Sequence, residues 1–170
     1  LEAARQNFDG ITYAKGASVL KQLAAYVGRE AFEQAARTYF RRHAWGNAEL
    51  KDFLAVLSEA SGRDMSAWAD AWLHTAGVPT LRVDIVDGTA VLVQSGEDPT
   101  TGEPIRRPHV VQVGVYEPNA SGALMRTDSV TVDVAEGVER TPIRGLEVPE
   151  HGVRLVLPND EDLTYAAVSL

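Results

Sequence analysis

The feature that most constrains the fold of this 170-residue chain is a change of hydrophobic period at Val78-Pro79. Before this point, apolar residues recur every three or four positions, which is typical of amphipathic helices. After it, Leu81, Val83 and Ile85 alternate with polar neighbours, which is typical of half-buried strands. Because a residue that precedes proline disfavours helical backbone, the switch falls at Pro79. The sequence therefore predicts an α+β protein with its helices first and its strands second.

The charge balance changes at the same place. Residues 1–78 carry nine basic and nine acidic side chains, whereas residues 79–170 carry seven and 15, so the net charge of −8 lies in the second part. We predict two domains with these bounds. The acidic second part argues against nucleic-acid binding, because phosphate recognition needs a basic surface.

The composition of the chain argues against disulfide-bonded, thiolate-metal and membrane-spanning proteins. The chain has no cysteine, hence no disulfide and no thiolate metal ligand, and we expect a cytoplasmic location. The longest run without Lys, Arg, Asp or Glu is 71–81. That run is far shorter than the roughly 20 apolar residues of a membrane helix, so no membrane partner is predicted. Because the chain begins with Leu1, in what the pattern indicates is a loop, we expect it to be a fragment.

About four helices are predicted in the first part, over residues 13–27, 29–43, 47–61 and 64–77. Thr12 and Asn47 are the predicted N-caps of the first and third helices, and Asp64 opens the fourth. The inward stripe of the first helix is predicted to comprise Tyr13, Ala17, Leu20, Ala24 and Val27. The other helices are predicted to bury apolar side chains that include Phe32, Tyr39, Phe40, Leu50, Phe53, Trp68 and Trp72.

Short strands with frequent turns are predicted in the second part, where Asp87-Gly88 is a type I′ hairpin signal. The predicted strands cover 81–86, 90–94, 110–117, 124–126, 129–134, 141–143, 153–157 and 163–169. This pattern favours an antiparallel β-sandwich after the helical segment.

The histidines do not form a zinc-binding pair in the sequence. No two of them are four residues apart on a helix, which is the spacing that zinc peptidases use. We interpret all four as capping or surface residues: His43, His74, His109 and His151.

Several motifs follow one another along the helical part. Tyr13 begins a Tyr-x-Lys-Gly-Ala run that Phe8 precedes by five residues, and later motifs are Tyr39-Phe40, His43 to Ala48 and Trp72-Leu73 before Gly77-Val78-Pro79. In order and spacing, residues 8 to about 80 resemble the aminopeptidase N family of zinc metallopeptidases, of the gluzincin type. The resemblance implies that residues 1–78 are the C-terminal helical part of a thermolysin-like catalytic domain. It also implies that residues 79–170 are the β-sandwich domain that follows.

The resemblance also implies roles for two side chains. Tyr13 corresponds to the tyrosine that stabilises the tetrahedral intermediate, and a neutral phenol can donate to an oxyanion without becoming charged. Phe8 corresponds to an aromatic residue that lines the pocket for the first side chain of the substrate. Lys15 and Gly16 are interpreted as packing and framework residues.

The family's zinc helix, His-Glu-x-x-His, is missing from the sequence. The resemblance implies Zn²⁺ and peptide substrates in the intact parent, whereas this fragment is expected to bind no zinc and to be inactive alone. Helices that would bury a face against the rest of an enzyme leave apolar surface exposed in a fragment. We therefore expect self-association through the helical part, or a rearrangement of its helices.

Two other functions stay open. The same architecture could belong to a non-catalytic relative that acts as an interaction scaffold. Alternatively, residues 79–170 could form an acidic binding module, although Tyr116 and Tyr165 are the only aromatic residues there and make no binding platform.

Overall fold

The computed structural model describes residues 2–146 and 155–170, with side chains from Tyr13 onward in those ranges. Helices occupy the first part: α1 (Glu2–Val27), α2 (Arg29–Arg42), α3 (Leu50–Ser61) and α4 (Met65–Leu73). Strands occupy the second: β1 (Thr80–Val86), β2 (Thr89–Ser95), β3 (His109–Pro118), β4 (Leu124–Val134), β5 (Arg140–Pro142), β6 (Leu155–Asp160) and β7 (Ala167–Val168). The predicted α+β class, with helices preceding strands, is confirmed.

Helix α1 begins earlier than the sequence predicts. Its first residue is Glu2, so Thr12 lies inside the helix and is not its N-cap. The segment from Glu2 to Gln6 is rich in residues of high helix propensity, and no proline interrupts the path to Tyr13. Asp9, Gly10 and Thr12 are poor helix formers but do not end the helix, which continues through the position that the cap pattern marks as its start.

The predicted inward stripe of α1 is wrong in its N-terminal half. Tyr13 and Leu20 are 70% and 53% exposed, whereas Gln22, Leu23 and Val27 are buried. The physical reason is that Gln22 finds backbone partners on a strand, as described below. This rotates the apolar stripe that begins with Tyr13 away from the sheets.

Caps define α3 and α4. Helix α3 starts after Glu49, whose N–H donates to Asp52 Oδ2 at 2.8 Å, so Asn47 is not its cap. It ends at Gly62, where φ of +70° terminates the helix as predicted. Asp64 caps α4 as predicted, and its carboxylate accepts the Ser66 N–H at 2.8 Å. Helix α4 ends at Leu73, four residues before the predicted Gly77.

The helices enclose an aromatic-rich core. Trp68 and Trp72 are buried as predicted, with ring centroids 6.0 Å apart, and Leu57 is fully buried beside them. Phe40 and Leu50 are 72% and 54% exposed, although both are predicted to be inward. The helical part therefore has a buried side and an outer side on which large apolar groups meet solvent.

The strands form two sheets. The order in the first is β5-β2-β1-β7 and in the second β4-β3-β6. The β1–β2 turn at Asp87-Gly88 has φ values of +49° and +74°, as a type I′ turn requires. The two strands predicted over 124–126 and 129–134 are one strand, β4, because a bulge at Thr127 keeps it paired with β3.

One strand pair departs from the antiparallel pattern. Strand β7 runs parallel to β1, with Thr80 opposite Ala167, and all other pairs between the named strands are antiparallel. Strand β7 is also shorter than the predicted 163–169, and the first residues of the predicted strand 153–157 lie outside the described ranges. A shared apolar core lies between the sheets and joins side chains from both: Leu81, Ala90, Leu92, Val111, Val113, Val115, Val132, Val134, Ile143 and Leu146.

Within the described residues, no helix has the length and apolar character needed to cross a membrane.

Candidate functional site

Tyr13 lies on the outer side of α1. Its side chain is 70% exposed, and its hydroxyl has no hydrogen-bond partner among the described residues. At 100° per residue, the nine positions between Tyr13 and Gln22 place the two side chains on opposite faces of the helix. The phenol is therefore directed away from the sheets and is free to donate a hydrogen bond to another molecule.

Phe8, the second predicted site residue, belongs to α1 by its backbone. Its side chain lies outside the described part of the chain, so its substrate-binding role stays a prediction.

The inner face of α1 is fastened to the sheets by Gln22, which is completely buried. Its Nε2 donates to the carbonyl oxygens of Val110 and Leu163, each at 3.0 Å, and its Oε1 accepts the Val110 N–H at 2.9 Å. Strand β6 pairs with β3 only from Gln112 onward, so β6 does not reach Val110. The carboxamide of Gln22 therefore takes the place of a strand partner at that point.

Two lysines of α1 contact the same part of the second half. Lys15 Nζ lies 5.6 Å from the centre of the Tyr165 ring, and Lys21 Nζ donates to the carbonyl oxygen of Glu161 at 2.7 Å. Lys15 precedes Gln22 by seven residues, which puts both on nearly one stripe of the helix. Between Lys15 and Gln22, helix α1 thus rests on residues 161–165 and on β3.

Arg107 joins the end of α4 to the sheets. It is buried, and its guanidinium donates to the carbonyl oxygens of Ala71, Thr75, Ala76 and Gly77 at 2.9, 3.3, 3.0 and 3.1 Å. The positive charge suits the carbonyl-rich end of a helix. Burial lowers the pKa of the Arg107 guanidinium, but the group remains charged at neutral pH.

His109 lies in the same junction and is fully buried, so its interpretation as a capping or surface residue is wrong. Its Nδ1 is 3.2 Å from Thr164 Oγ1, and its Nε2 has no hydrogen-bond partner among the described residues. The ring lies 6.0 Å from that of Trp72, whose Nε1 donates to the Pro108 carbonyl at 2.8 Å. Burial, and then the charge of Arg107, lower the pKa of His109 to about 4.

The other histidines have simpler surroundings. His43 follows α2 as its C-cap, as predicted. His74 is exposed after α4 and lies 2.9 Å from Asp70 Oδ1, and His151 is outside the described residues. No group of three or more His, Cys, Asp or Glu side chains that could hold a metal ion occurs in the part of the chain that the structure describes. These residues do not fit a zinc site.

Sequence reasoning missed the residues that join the two halves, namely Gln22, Arg107 and His109. Each is a polar side chain that finds backbone or hydroxyl partners far away in the sequence. Local periodicity carries no signal for such partners, although Arg107-Pro108-His109 stands out as a polar step into an apolar strand.

Comparison with known proteins shows which parts of this chain resemble them in sequence. A model of the Peptidase family M1 domain matches residues 2–72. Aminopeptidase N of Streptomyces lividans is 47% identical over 96% of this chain and 20% of its own length. Glutamyl aminopeptidase of Bos taurus is 42% identical over 45% of this chain and 8% of its own length. The chain thus spans about a fifth of the length of the first relative, and less of the second.

A solved structure has the same fold. Aminopeptidase A of Legionella pneumophila, in complex with aspartic acid, matches 98% of this chain and 18% of its own chain with a TM-score of 0.64. The sequence identity is 19%, so this likeness concerns the fold alone.

Proposed function

Because the chain belongs to the aminopeptidase N family, within peptidase family M1, we propose that it is part of a zinc-dependent aminopeptidase that removes N-terminal residues from peptides. In this proposal residues 1–78 complete the catalytic domain, and residues 79–170 form the β-sandwich domain next to it. A cytoplasmic location rests only on the lack of cysteine and stays a prediction.

Tyr13 is the residue of this segment that we propose to be catalytic. The observation that supports the role is its exposed phenol, which has no hydrogen bond to another described residue and faces away from the sheets. When a peptide carbonyl becomes tetrahedral, negative charge develops on its oxygen, and a donor already held in place stabilises that charge. The Tyr13 hydroxyl supplies such a donor from a 26-residue helix, which restricts the direction of the O–H.

Phe8 is proposed to line the pocket for the first side chain of the peptide. It precedes Tyr13 by five residues on the same helix, about 7–8 Å along the axis. The proposed role of Phe8 rests on the motif resemblance and not on the helix geometry.

The zinc ligands are proposed to lie in other parts of the full-length protein, because the described residues do not fit a zinc site. The 170-residue chain alone is then expected to bind no stoichiometric zinc. It is also expected to show no metal-dependent cleavage of aminoacyl 4-nitroanilides.

The experiment that tests the role of Tyr13 is Tyr13→Phe in the full-length, zinc-loaded protein. Loss of one oxyanion donor is expected to lower kcat about 10²- to 10³-fold with little change in KM. Tyr39→Phe is the matched control, since Tyr39 lies on α2 among aromatic rings, and its removal of a hydroxyl is expected to leave kcat unchanged. Full activity of Tyr13→Phe would exclude the catalytic role.

The activity of the wild-type protein in this experiment distinguishes an enzyme from the interaction scaffold that the sequence leaves open. A non-catalytic relative would cleave no aminoacyl 4-nitroanilide even with both tyrosines in place.

A further inference from the structure

Helix α1 carries the proposed catalytic Tyr13 on one face and its attachment to the sheets on the other. Nine residues separate Tyr13 from Gln22, which corresponds to about 13–14 Å along the axis and half a turn around it. The sheets therefore contact this helix on the face opposite to Tyr13.

Gln22 differs from the apolar residues around it because its contacts are directional. Three hydrogen bonds of 2.9–3.0 Å join one planar carboxamide to the Val110 N–H, the Val110 carbonyl and the Leu163 carbonyl. Leu23, the buried neighbour, makes apolar contacts, which do not depend on direction and tolerate a small rotation of the helix. Lys21 also bonds to the Glu161 carbonyl, but from an exposed and flexible side chain, so Gln22 is the buried residue of α1 whose bonds depend on the rotation of the helix.

That rotation decides where the Tyr13 hydroxyl lies. A side chain at a radius of about 5–6 Å moves by about 1 Å when the helix turns by about 10°. A misplacement of about 1 Å at a reacting centre can lower a rate by up to about 100-fold.

We infer that Gln22 is a positioning residue for Tyr13, through which the sheets orient the tyrosine toward the reacting carbonyl. This inference rests on the proposed function, in which Tyr13 donates to the oxyanion.

The chain contains a close match to Gln22 that serves as a control. Gln94 on β2 is also buried, and its carboxamide pairs with the backbone of Arg107, accepting the N–H at 3.0 Å and donating to the carbonyl at 3.1 Å. It donates as well to the Val138 carbonyl at 3.2 Å. Gln94 therefore makes the same set of bonds within the second part, without holding α1.

The test compares Gln22→Met and Gln94→Met in the full-length, zinc-loaded protein, with a panel of aminoacyl 4-nitroanilides as substrates. Both variants are expected to lower the melting temperature. Gln22→Met is expected to lower kcat about 10- to 100-fold with KM within about twofold, whereas Gln94→Met leaves kcat within about twofold. Equal effects of the two variants on kcat, measured well below both melting temperatures, would overturn the inference.

A double-mutant cycle separates positioning from a general loss of structure. If Gln22 acts through Tyr13, Gln22→Met is expected to change kcat less than about twofold in a Tyr13→Phe background. The same loss in both backgrounds would show that Gln22 acts elsewhere. If Gln22→Met does not fold, Gln22→Asn replaces it in both comparisons, because it keeps the carboxamide and retracts it by one methylene.

The outcomes for the two hypotheses are distinct. A large loss for Tyr13→Phe without one for the Gln22 variants rejects only the positioning role. Full activity of Tyr13→Phe rejects the proposed function of the tyrosine, and the inference with it.

Discussion

The side of the helical part that faces the sheets differs from the side that faces away in how its polar and aromatic groups are placed. Toward the sheets, polar side chains are buried and hydrogen-bonded, with Gln22, Trp72 and Arg107 all bonded to carbonyl groups of other segments. Away from the sheets, Tyr13 and Phe40 expose large aromatic rings. The inner side thus adds a few hydrogen-bonded polar groups to an apolar core, whereas the outer side exposes aromatic rings that are ordinarily buried.

This difference indicates that the two sides contribute differently to the protein. Buried polar groups with defined partners fix geometry, because each bond works only in one arrangement. Exposed apolar groups gain free energy from any surface that covers them. The inner side is therefore the part that orients the helices, and the outer side is the part available to bury against other protein.

The largest expected effect comes from breaking the inner side at Arg107. Arg107→Met leaves the carbonyl groups of Ala71, Thr75, Ala76 and Gly77 without this donor. Since each hydrogen bond from a charged donor contributes about 1.5–3 kcal/mol, and the buried Arg107 guanidinium makes several of them, the free energy of unfolding is expected to fall by more than about 3 kcal/mol. Urea unfolding followed by tryptophan fluorescence measures the loss.

Arg106→Met is the matched control for Arg107→Met. The Arg106 guanidinium pairs with Glu139 at 2.6 Å near the surface, and such pairs contribute less than about 1 kcal/mol. Similar losses in the two variants would contradict the special role of the buried guanidinium.

A smaller effect is expected from titrating His109. The ordinary pKa of 6.5 falls to about 4 in the fold, so between these values the unfolded chain binds a proton that the folded chain does not. Stability is therefore complete above about pH 7 and falls as the pH decreases, by about 2 kcal/mol at pH 5. Urea unfolding at pH 7 and pH 5 measures the change.

His109→Leu is expected to remove most of this pH dependence, because the ionisable group is gone. His74→Gln, at the exposed histidine beside Asp70, is expected to leave it unchanged. If wild type and His109→Leu respond equally to pH, His109 is not the group that titrates.

The smallest effect on stability is expected on the outer side. Phe40→Ser is expected to change the free energy of unfolding by less than about 0.5 kcal/mol, because the ring is already mostly exposed. We propose that the isolated chain self-associates through this side, so the variant is expected to shift the mass measured by light scattering toward the monomer.

Phe53→Ser, on α3, is the control variant for Phe40→Ser. Its ring packs edge-on against Phe32 and Tyr39, with centroids 6.2 and 5.2 Å away, and its loss is expected to cost more than about 2 kcal/mol. Wild-type chain that is monomeric at high concentration would argue against association through the outer side.

The sequence predicted well where local chemistry decides the structure. Asp64 caps α4, Gly62 ends α3, and Asp87-Gly88 turns β1 into β2, and each of these depends on residues that are neighbours in the chain. The order of helices and strands follows from the change of period at Pro79 for the same reason.

Prediction failed where distant residues decide the structure. The stripe of α1 that includes Leu20 is as apolar as a buried face, but the position of Val110 turns Gln22 inward and Leu20 outward. The sequence shows His109 only as part of a polar step into an apolar strand, and its burial follows from β3 packing beneath Trp72. For the candidate site, the motif at Tyr13 pointed to the residue, whereas its support by Gln22 required three dimensions.

The hydrogen bonds of Gln22 also set an order of events during synthesis. Its partners Val110 and Leu163 lie 88 and 141 residues further along the chain. At about 5–20 residues per second, a ribosome takes about 7–28 s to reach the second partner after making Gln22. During that time α1 can pack against the other helices but lacks the partners of Gln22, so the orientation of Tyr13 is set only after the second part has been made.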